Sequence, residues 1–184
     1  FATIVKAVLN GRNVYENIKN AIQFLLSGNM AAILCVLFAS IVGLPMPFAP
    51  VHLLFINLLT DSLPAIAIGM EPARKDLLDR KPRDPKEPIL NRSLLGKIFG
   101  QGLLIGIATM AAFYIGYGST QNAALAMTMA FATLTLARLF HGFNCRGRES
   151  IFRLGLRTNQ FVLLAFGLGV LLLMSGLRSV GAGI

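Results

Sequence analysis

The 184-residue chain contains no tryptophan, two cysteines and eight acidic residues, and charged residues make up only 14% of it. Cys35 and Cys145 are far apart, a spacing that fits neither a disulfide framework nor a cysteine-based zinc site. With 55% hydrophobic residues and a mean hydropathy of +0.67, the chain is too apolar for a soluble domain of this size. We therefore expect a membrane protein in which both cysteines are free.

Five apolar runs of about 20 residues are long enough to cross a bilayer. They are Ala21–Leu44, Pro50–Met70, Leu94–Tyr117, Asn122–Phe143 and Gln160–Leu177. The proline-rich segment Pro45–Pro50 and the polar segment Gly116–Asn122 are predicted to be short connections. The sequence thus predicts an all-α fold, a polytopic membrane helical bundle with about five transmembrane helices.

Basic residues are distributed asymmetrically around these runs. Of the 17 lysines and arginines, 15 lie before the first run, in residues 71–97 or in residues 146–157, whereas the two short connections contain none. The positive-inside rule therefore predicts a multi-pass protein of the cell membrane with a cytoplasmic N-terminus. Because the chain begins at Phe1 and shows no signal-peptide pattern, we expect it to be a piece of a longer protein.

Two ionisable residues, Asp61 and Arg138, lie inside predicted spans, where each costs about 2.5 to 3.5 kcal/mol on insertion scales. On an α-helix, Asn57, Thr60 and Asp61 stand at positions i, i+3 and i+4 and share one face. Pro64 has no N–H to donate to the carbonyl of Thr60, which frees a backbone oxygen near the carboxylate. The charged side chains are therefore expected to face ions or protons.

Asn29 is the polar residue deepest in the first run, and a hairpin through Pro45–Pro50 would bring it near Asp61. Carboxylate, amide, hydroxyl and carbonyl oxygens are the ligands that calcium prefers, usually about six to eight of them. A bond between helices is the alternative role for Asn29. For Arg138 the alternative is a side chain that snorkels to the membrane surface.

The motif around Asp61 closely resembles the sixth transmembrane helix of the P-type ATPases that pump calcium. The resembling segment reads INLLTDSLPAIAIGMEP, from Ile56 to Pro72. The segment FATIVKAVLNGRNVYENIKNAIQFLLSGN resembles the end of their phosphorylation domain and the start of helix five, and DRKPRDPKEPIL resembles their loop between helices six and seven. The chain is therefore similar to the C-terminal transmembrane region, helices five to about nine, of a bacterial-type calcium-transporting P-type ATPase.

This resemblance implies a domain organisation and a set of partners. Residues 1–20 correspond to the end of the phosphorylation domain and the stalk, and residues 21–177 to the bundle with its cytoplasmic loop 71–97. Residues 178–184 correspond to a tail truncated before a last helix. The implied partners are the lipid bilayer and the N-terminal part of the pump, with helices one to four and the cytoplasmic domains, and no nucleic acid.

The chain contains no DKTGT-like phosphorylation motif and no Walker A loop. We therefore expect no catalytic residues in it, and the resemblance implies that ATP and Mg²⁺ are bound by the other domains. Ca²⁺ is implied as the transported ion. By resemblance its ligands include Asn57, Asp61 and Thr60 of helix six and Asn29 of helix five.

Two departures from the family pattern bear on stoichiometry. Ala32 and Arg138 stand at the positions where pumps that move two calcium ions have glutamates on helices five and eight. The resemblance therefore implies one ion per ATP, with Arg138 as a counter-charge that fills the vacated site and with proton counter-transport as an option.

Three other hypotheses stay open. In a secondary cation or proton transporter, Asp61 and Arg138 would form a protonatable pair, although such folds usually show inverted repeats and no other run here repeats the Asn-x-x-Thr-Asp pattern. A manganese-selective pump of the same family would also use oxygen ligands. A structural or channel-lining subunit explains the helices but not the carboxylate beside its oxygen-bearing neighbours.

Overall fold

A computed structural model describes residues 2–73, 75–79, 88–147 and 159–181. Residues 74 and 80–87 of the predicted basic segment 71–97, and residues 148–157 of the predicted basic segment 146–157, lie outside the described residues. Six α-helices are present within the described ranges. They are α1 (Ala2–Val42), α2 (Pro50–Phe55), α3 (Ser62–Gly69), α4 (Arg92–Thr120), α5 (Ala123–Asn144) and α6 (Gln160–Gly181). A π-helical segment, Ile56–Thr60, joins α2 to α3, and a 3₁₀ turn covers Lys75–Leu77.

Five helical stretches are long and apolar enough to cross a membrane. They are α1, the continuous stretch Pro50–Gly69, α4, α5 and residues Gln160–Arg178 of α6. The predicted all-α membrane bundle with five spans is therefore confirmed. The first predicted boundary differs, because α1 begins at Ala2 and its 41 residues extend for about 60 Å. Since a hydrocarbon core is about 30 Å thick, α1 is about twice as long as the core.

The connection between α4 and α5 is shorter than the predicted segment Gly116–Asn122. Helix α4 continues through Thr120, whose hydroxyl donates to the carbonyl of Gly116 at 2.7 Å. Gln121 then adopts a left-handed conformation (φ 53°) and ends the helix. Asn122 caps α5 because its side-chain oxygen accepts from two N–H groups of the next turn. Residues whose hydroxyl groups bond to their own helix can thus remain helical, although the polar composition of the segment indicated a connection.

Small residues bring α1 and α4 close together. A Cβ atom added at Gly102 would lie 2.9 Å from the carbonyl oxygen of Ser27, and one added at Gly106 would lie 3.5 Å from a backbone oxygen of α1. The third span thus packs closely on the first at these two glycines. Two further glycines of α4, Gly96 and Gly100, face open space.

The largest buried apolar cluster lies where α1, α4, α5 and the π-helical segment meet, and it includes Ile56, Phe113 and Leu134. The π-helical segment and α3 contact α5 and α6, and α3 also packs against α1. Asp61, which lies at the junction of the π-helical segment and α3, is consequently only 2% exposed. The fold therefore holds this carboxylate inside the bundle.

Candidate functional site

Asp61 and Arg138 form an ion pair inside the bundle, in which the Nη2 atom of Arg138 donates to Oδ2 of Asp61. Both side chains are only 3% exposed. The same Nη2 atom lies 3.3 Å from Oδ1 of Asn29, to which it also donates. Three sequence-predicted residues from three separate spans are thus brought together. The guanidinium lies within the bundle and not at its surface, whereas the snorkelling alternative would place it at the surface.

The π-helical segment sets the position of Asp61. The N–H of Asp61 donates to the carbonyl of Ile56 at 2.9 Å, which is the i to i+5 pattern of a π-helix. The α-helical pattern then resumes, since the N–H of Ala65 donates to the carbonyl of Asp61 at 3.1 Å. Pro64 has no N–H for the carbonyl of Thr60, so the backbone beside Asp61 departs from a regular ladder at consecutive positions. Single π-turns within α-helices are frequent at functional sites.

The same segment corrects the predicted arrangement of Asn57, Thr60 and Asp61. Because a π-turn holds more residues than an α-turn, α-helical spacing does not apply here. Thr60 and Asp61 are each 2% exposed, whereas Asn57 is exposed. The hydroxyl of Thr60 donates to the carbonyl of Ile56 at 2.8 Å, which leaves its oxygen lone pairs available to a ligand.

Two buried atoms of the ion pair have no hydrogen-bond partner among the described residues: Oδ1 of Asp61 and Nε of Arg138. A buried polar atom without a partner costs about 1 to 3 kcal/mol, more if the group is charged. Such atoms in a folded protein call for a specific explanation, such as a ligand or a catalytic role. The carboxylate of Asp61 therefore has one oxygen to offer to a further ligand.

No three histidine, cysteine, aspartate or glutamate side chains converge on a common point in the described part of the chain. Within the described residues, a cation near Asp61 would therefore draw its other ligands from amide, hydroxyl and carbonyl oxygens. That donor set suits a hard cation such as Ca²⁺ or Mn²⁺ and not a soft metal.

Residues 45–176 match the family described as cation transporting ATPase, C-terminus. The chain belongs to this family. The calcium-transporting ATPase of Bacillus subtilis (strain 168) is 45% identical over 175 residues, which cover 95% of this chain and 20% of that protein. The calcium-transporting ATPase 1 of Lactococcus lactis subsp. lactis is 45% identical over 166 residues, which cover 90% of the chain and 19% of that protein.

A calcium-transporting ATPase of Listeria monocytogenes is 42% identical over 185 residues, which cover 98% of this chain and 21% of that protein. The chain thus spans about a fifth of the length of these curated relatives. The predicted resemblance to the C-terminal region of calcium-transporting P-type ATPases is confirmed. With five helices long and apolar enough to cross a membrane, the chain is a multi-pass membrane protein.

In this cation-transporting ATPase region, a buried histidine lies one turn from Arg138. The Nε2 atom of His141 lies 2.8 Å from Oγ of Ser27 and 3.2 Å from Sγ of Cys145, and the residue is 5% exposed. Although it lies near the end of α5, this histidine is therefore inside the bundle and not at its surface. Burial raises the pKa of the Cys145 thiol to about 12, so the thiol stays neutral near pH 7. Sequence reasoning missed this cluster, for which the only signal was a serine inside an apolar run.

A second polar cluster of the ATPase region ties together four segments. Glu71, just after α3, accepts two hydrogen bonds from Arg146, from Nε at 3.0 Å and from Nη2 at 2.9 Å. Asn159 donates to the carboxylate of Glu71 at 2.8 Å, and Asn17 of α1 donates to the Glu71 carbonyl at 2.9 Å. All four residues are at most 5% exposed. This cluster fixes the end of the Asp61-bearing helix to α1, to the end of α5 and to the start of α6.

Proposed function

We propose that the chain is the C-terminal part of the ion-translocating membrane unit of a P-type ATPase that exports calcium from the cytoplasm across the cell membrane. The observation that carries the proposal is the buried Asp61 carboxylate, which pairs with Arg138 through one oxygen and keeps the other unpartnered. The names of the relatives support Ca²⁺ as the transported ion. The asymmetry of the basic residues supports a cytoplasmic N-terminus.

The proposed calcium ligands in this chain are Asp61, Thr60, Asn29 and Asn57. Asp61 and Thr60 are buried side by side, and Asn29 reaches the same point through Arg138. Asn57 is exposed on this chain and so is available to contact helices contributed by the rest of the pump. Four side chains fall short of the usual six to eight ligands of calcium. The remaining oxygens would come from the backbone and from helices outside this chain.

We propose a stoichiometry of one calcium ion per ATP. Ala32 contributes no charge to the bundle and is buried (8% exposed), and Arg138 contributes a positive charge that does not dissociate in proteins. A second Ca²⁺ beside this guanidinium would be repelled by several kcal/mol, on the order given by Coulomb's law at an effective dielectric constant of about 20. Electrostatics thus favours one ion at Asp61.

Arg138 also bears on proton coupling. After calcium leaves, the guanidinium would stabilise the ionised form of Asp61, which lowers the need for this carboxylate to take up a proton. Proton counter-transport remains part of the proposal, with the acceptor placed elsewhere in the pump. ATP and Mg²⁺ would bind the cytoplasmic domains, because the chain contains no motif for phosphoryl transfer. Family membership favours this pump over the secondary-transporter hypothesis.

The decisive experiment uses Asp61→Asn in the full-length pump. We expect the variant to lose calcium-dependent phosphorylation from ATP and to retain phosphorylation from inorganic phosphate without calcium, since only the ion site is altered. Ser62→Ala is the matched control: Ser62 is exposed and its hydroxyl donates to the Leu58 carbonyl of its own helix at 2.8 Å. Calcium dependence that survives in Asp61→Asn contradicts the site assignment.

The ion and its stoichiometry are tested on the wild-type pump. Phosphorylation from ATP is measured as a function of Ca²⁺ concentration and, separately, of Mn²⁺ concentration. A half-saturating concentration that is lower for Mn²⁺ than for Ca²⁺ would favour the manganese-selective alternative. Bound radioactive calcium is then compared with phosphoenzyme in the same sample. A ratio of one supports the proposal, and a ratio of two refutes the one-site arrangement.

A further inference from the structure

Gly28 in α1 lies directly against the guanidinium of Arg138. A Cβ atom added at this glycine would overlap Nε of Arg138 and would lie 2.5 Å from Cζ and 2.6 Å from Nη2 of the same side chain. Favourable contacts between carbon and other heavy atoms lie at about 3.5 to 4.0 Å, so these positions overlap strongly. The missing side chain of Gly28 thus forms a notch in α1 that the guanidinium fills.

The guanidinium has little room to move away from this notch. Arg138 is 2% exposed, and its Nη2 atom is held by Oδ2 of Asp61 and by Oδ1 of Asn29. Asn29 follows Gly28 directly, so α1 provides both the space for the guanidinium and one of its acceptors. A side chain at position 28 would push the guanidinium away from both acceptors.

We propose that Gly28 is a positioning residue that lets Arg138 reach Asp61 and so determines the charge at the ion site. This inference rests on the proposed role of Asp61 in calcium transport. The guanidinium and Ca²⁺ compete for the same carboxylate, and each disfavours the other by charge. A larger residue at position 28 therefore weakens the ion pair between Arg138 and Asp61 and favours the binding of Ca²⁺ to Asp61. Gly28 acts only through the position of Arg138.

The test measures the calcium concentration that gives half-maximal phosphorylation from ATP in the full-length pump. Coupling energies between contacting residues imply that Gly28→Ala lowers this concentration by about tenfold. Arg138→Ala should lower it to a similar extent. In the Arg138→Ala background, adding Gly28→Ala should change nothing further, because the atoms that the new methyl group displaces are gone. A Gly28→Ala shift that persists in this background, or no shift in the single variant, overturns the inference.

Two glycines of α4 are matched controls. Gly102→Ala also introduces a clash, but with the backbone of Ser27 and not with Arg138, so any effect should be equal in the wild-type and Arg138→Ala backgrounds. Gly100→Ala adds a methyl group in open space and should leave the calcium dependence unchanged. An Arg138-dependent effect of Gly102→Ala would mean that helix packing in general, and not the notch, sets the position of the guanidinium.

Phosphorylation by inorganic phosphate in the absence of calcium shows whether each variant is folded. If Gly28→Ala fails this test, Gly28→Ala with Arg138→Ala should pass it, since the clash partner is removed, and a double variant that also fails overturns the inference.

The Asp61→Asn variant separates the two proposals. If Asp61→Asn retains calcium dependence, the proposed function fails; if it loses calcium dependence while Gly28→Ala behaves as wild type, only the role of Gly28 fails.

Discussion

Arg138 and Asp61 are 77 residues apart in the sequence, and their side chains form an ion pair from which solvent is almost excluded. An isolated charge at such a depth is costly, whereas a paired and hydrogen-bonded one is tolerated. Each residue is therefore the physical reason that the other can lie inside the bundle.

Reversing the charge at position 138 should slow calcium release. In Arg138→Glu the site gains a carboxylate in place of the competing cation, so Ca²⁺ is held more tightly at the step that must release it. We expect slower calcium release from the phosphoenzyme, measured by rapid filtration with radioactive calcium. Arg138→Lys, which keeps the charge, is the control. Wild-type release rates in both Arg138→Glu and Arg138→Ala would show that the buried guanidinium does not control calcium release.

The isolated chain should bind calcium weakly or not at all. Its proposed ligands are fewer than the usual six to eight oxygens, and Arg138 already occupies one oxygen of the only carboxylate. Calorimetry on the purified chain in detergent should show no site at micromolar calcium. A micromolar site that persists in the Asp61→Asn chain would show that calcium binds elsewhere. A micromolar site that disappears in this variant would show that the ligands of this chain alone are enough to bind calcium.

Removing the carboxylate of Glu71 should destabilise the bundle strongly. Glu71→Ala removes the carboxylate that accepts two hydrogen bonds from the buried guanidinium of Arg146, and breaking a buried ion pair typically costs about 3 to 5 kcal/mol. We expect a large fall in the thermal unfolding midpoint of the full-length pump in detergent. Glu71→Ala with Arg146→Ala should lose less stability than Glu71→Ala alone. Equal losses in the two variants would show that the ion pair is not the stabilising feature.

The glycines of α4 should differ in their tolerance of alanine. At Gly102 a methyl group would lie 2.9 Å from the carbonyl oxygen of Ser27, so Gly102→Ala should cost about 1 to 3 kcal/mol through overpacking. At Gly100 there is open space, so alanine should be neutral or stabilise by up to about 1 kcal/mol through helix propensity. Thermal unfolding of the two variants in one detergent provides the comparison. A smaller loss at Gly102 than at Gly100 would contradict the close contact of α1 and α4.

Much of the fold could be predicted from the sequence because the determining signal is local. A run of about 20 apolar residues is a property of consecutive positions, and a bilayer requires such a run to be helical. The five spans could therefore be predicted. Asp61 and Arg138 could also be identified as candidate functional residues, because an ionisable residue within an apolar run is costly wherever its partner lies. The residues around Asp61 also carried the family resemblance.

The partners of these residues were decided only by the tertiary structure. Hydropathy does not report how far each helix is rotated or which faces meet, so it left both snorkelling and burial open for Arg138. The π-turn at Ile56–Thr60 depends on a backbone hydrogen bond that α-helical spacing does not predict. The notch at Gly28 and the pairing of Glu71 with Arg146 likewise exist only because packing brings distant positions within van der Waals or hydrogen-bond distance.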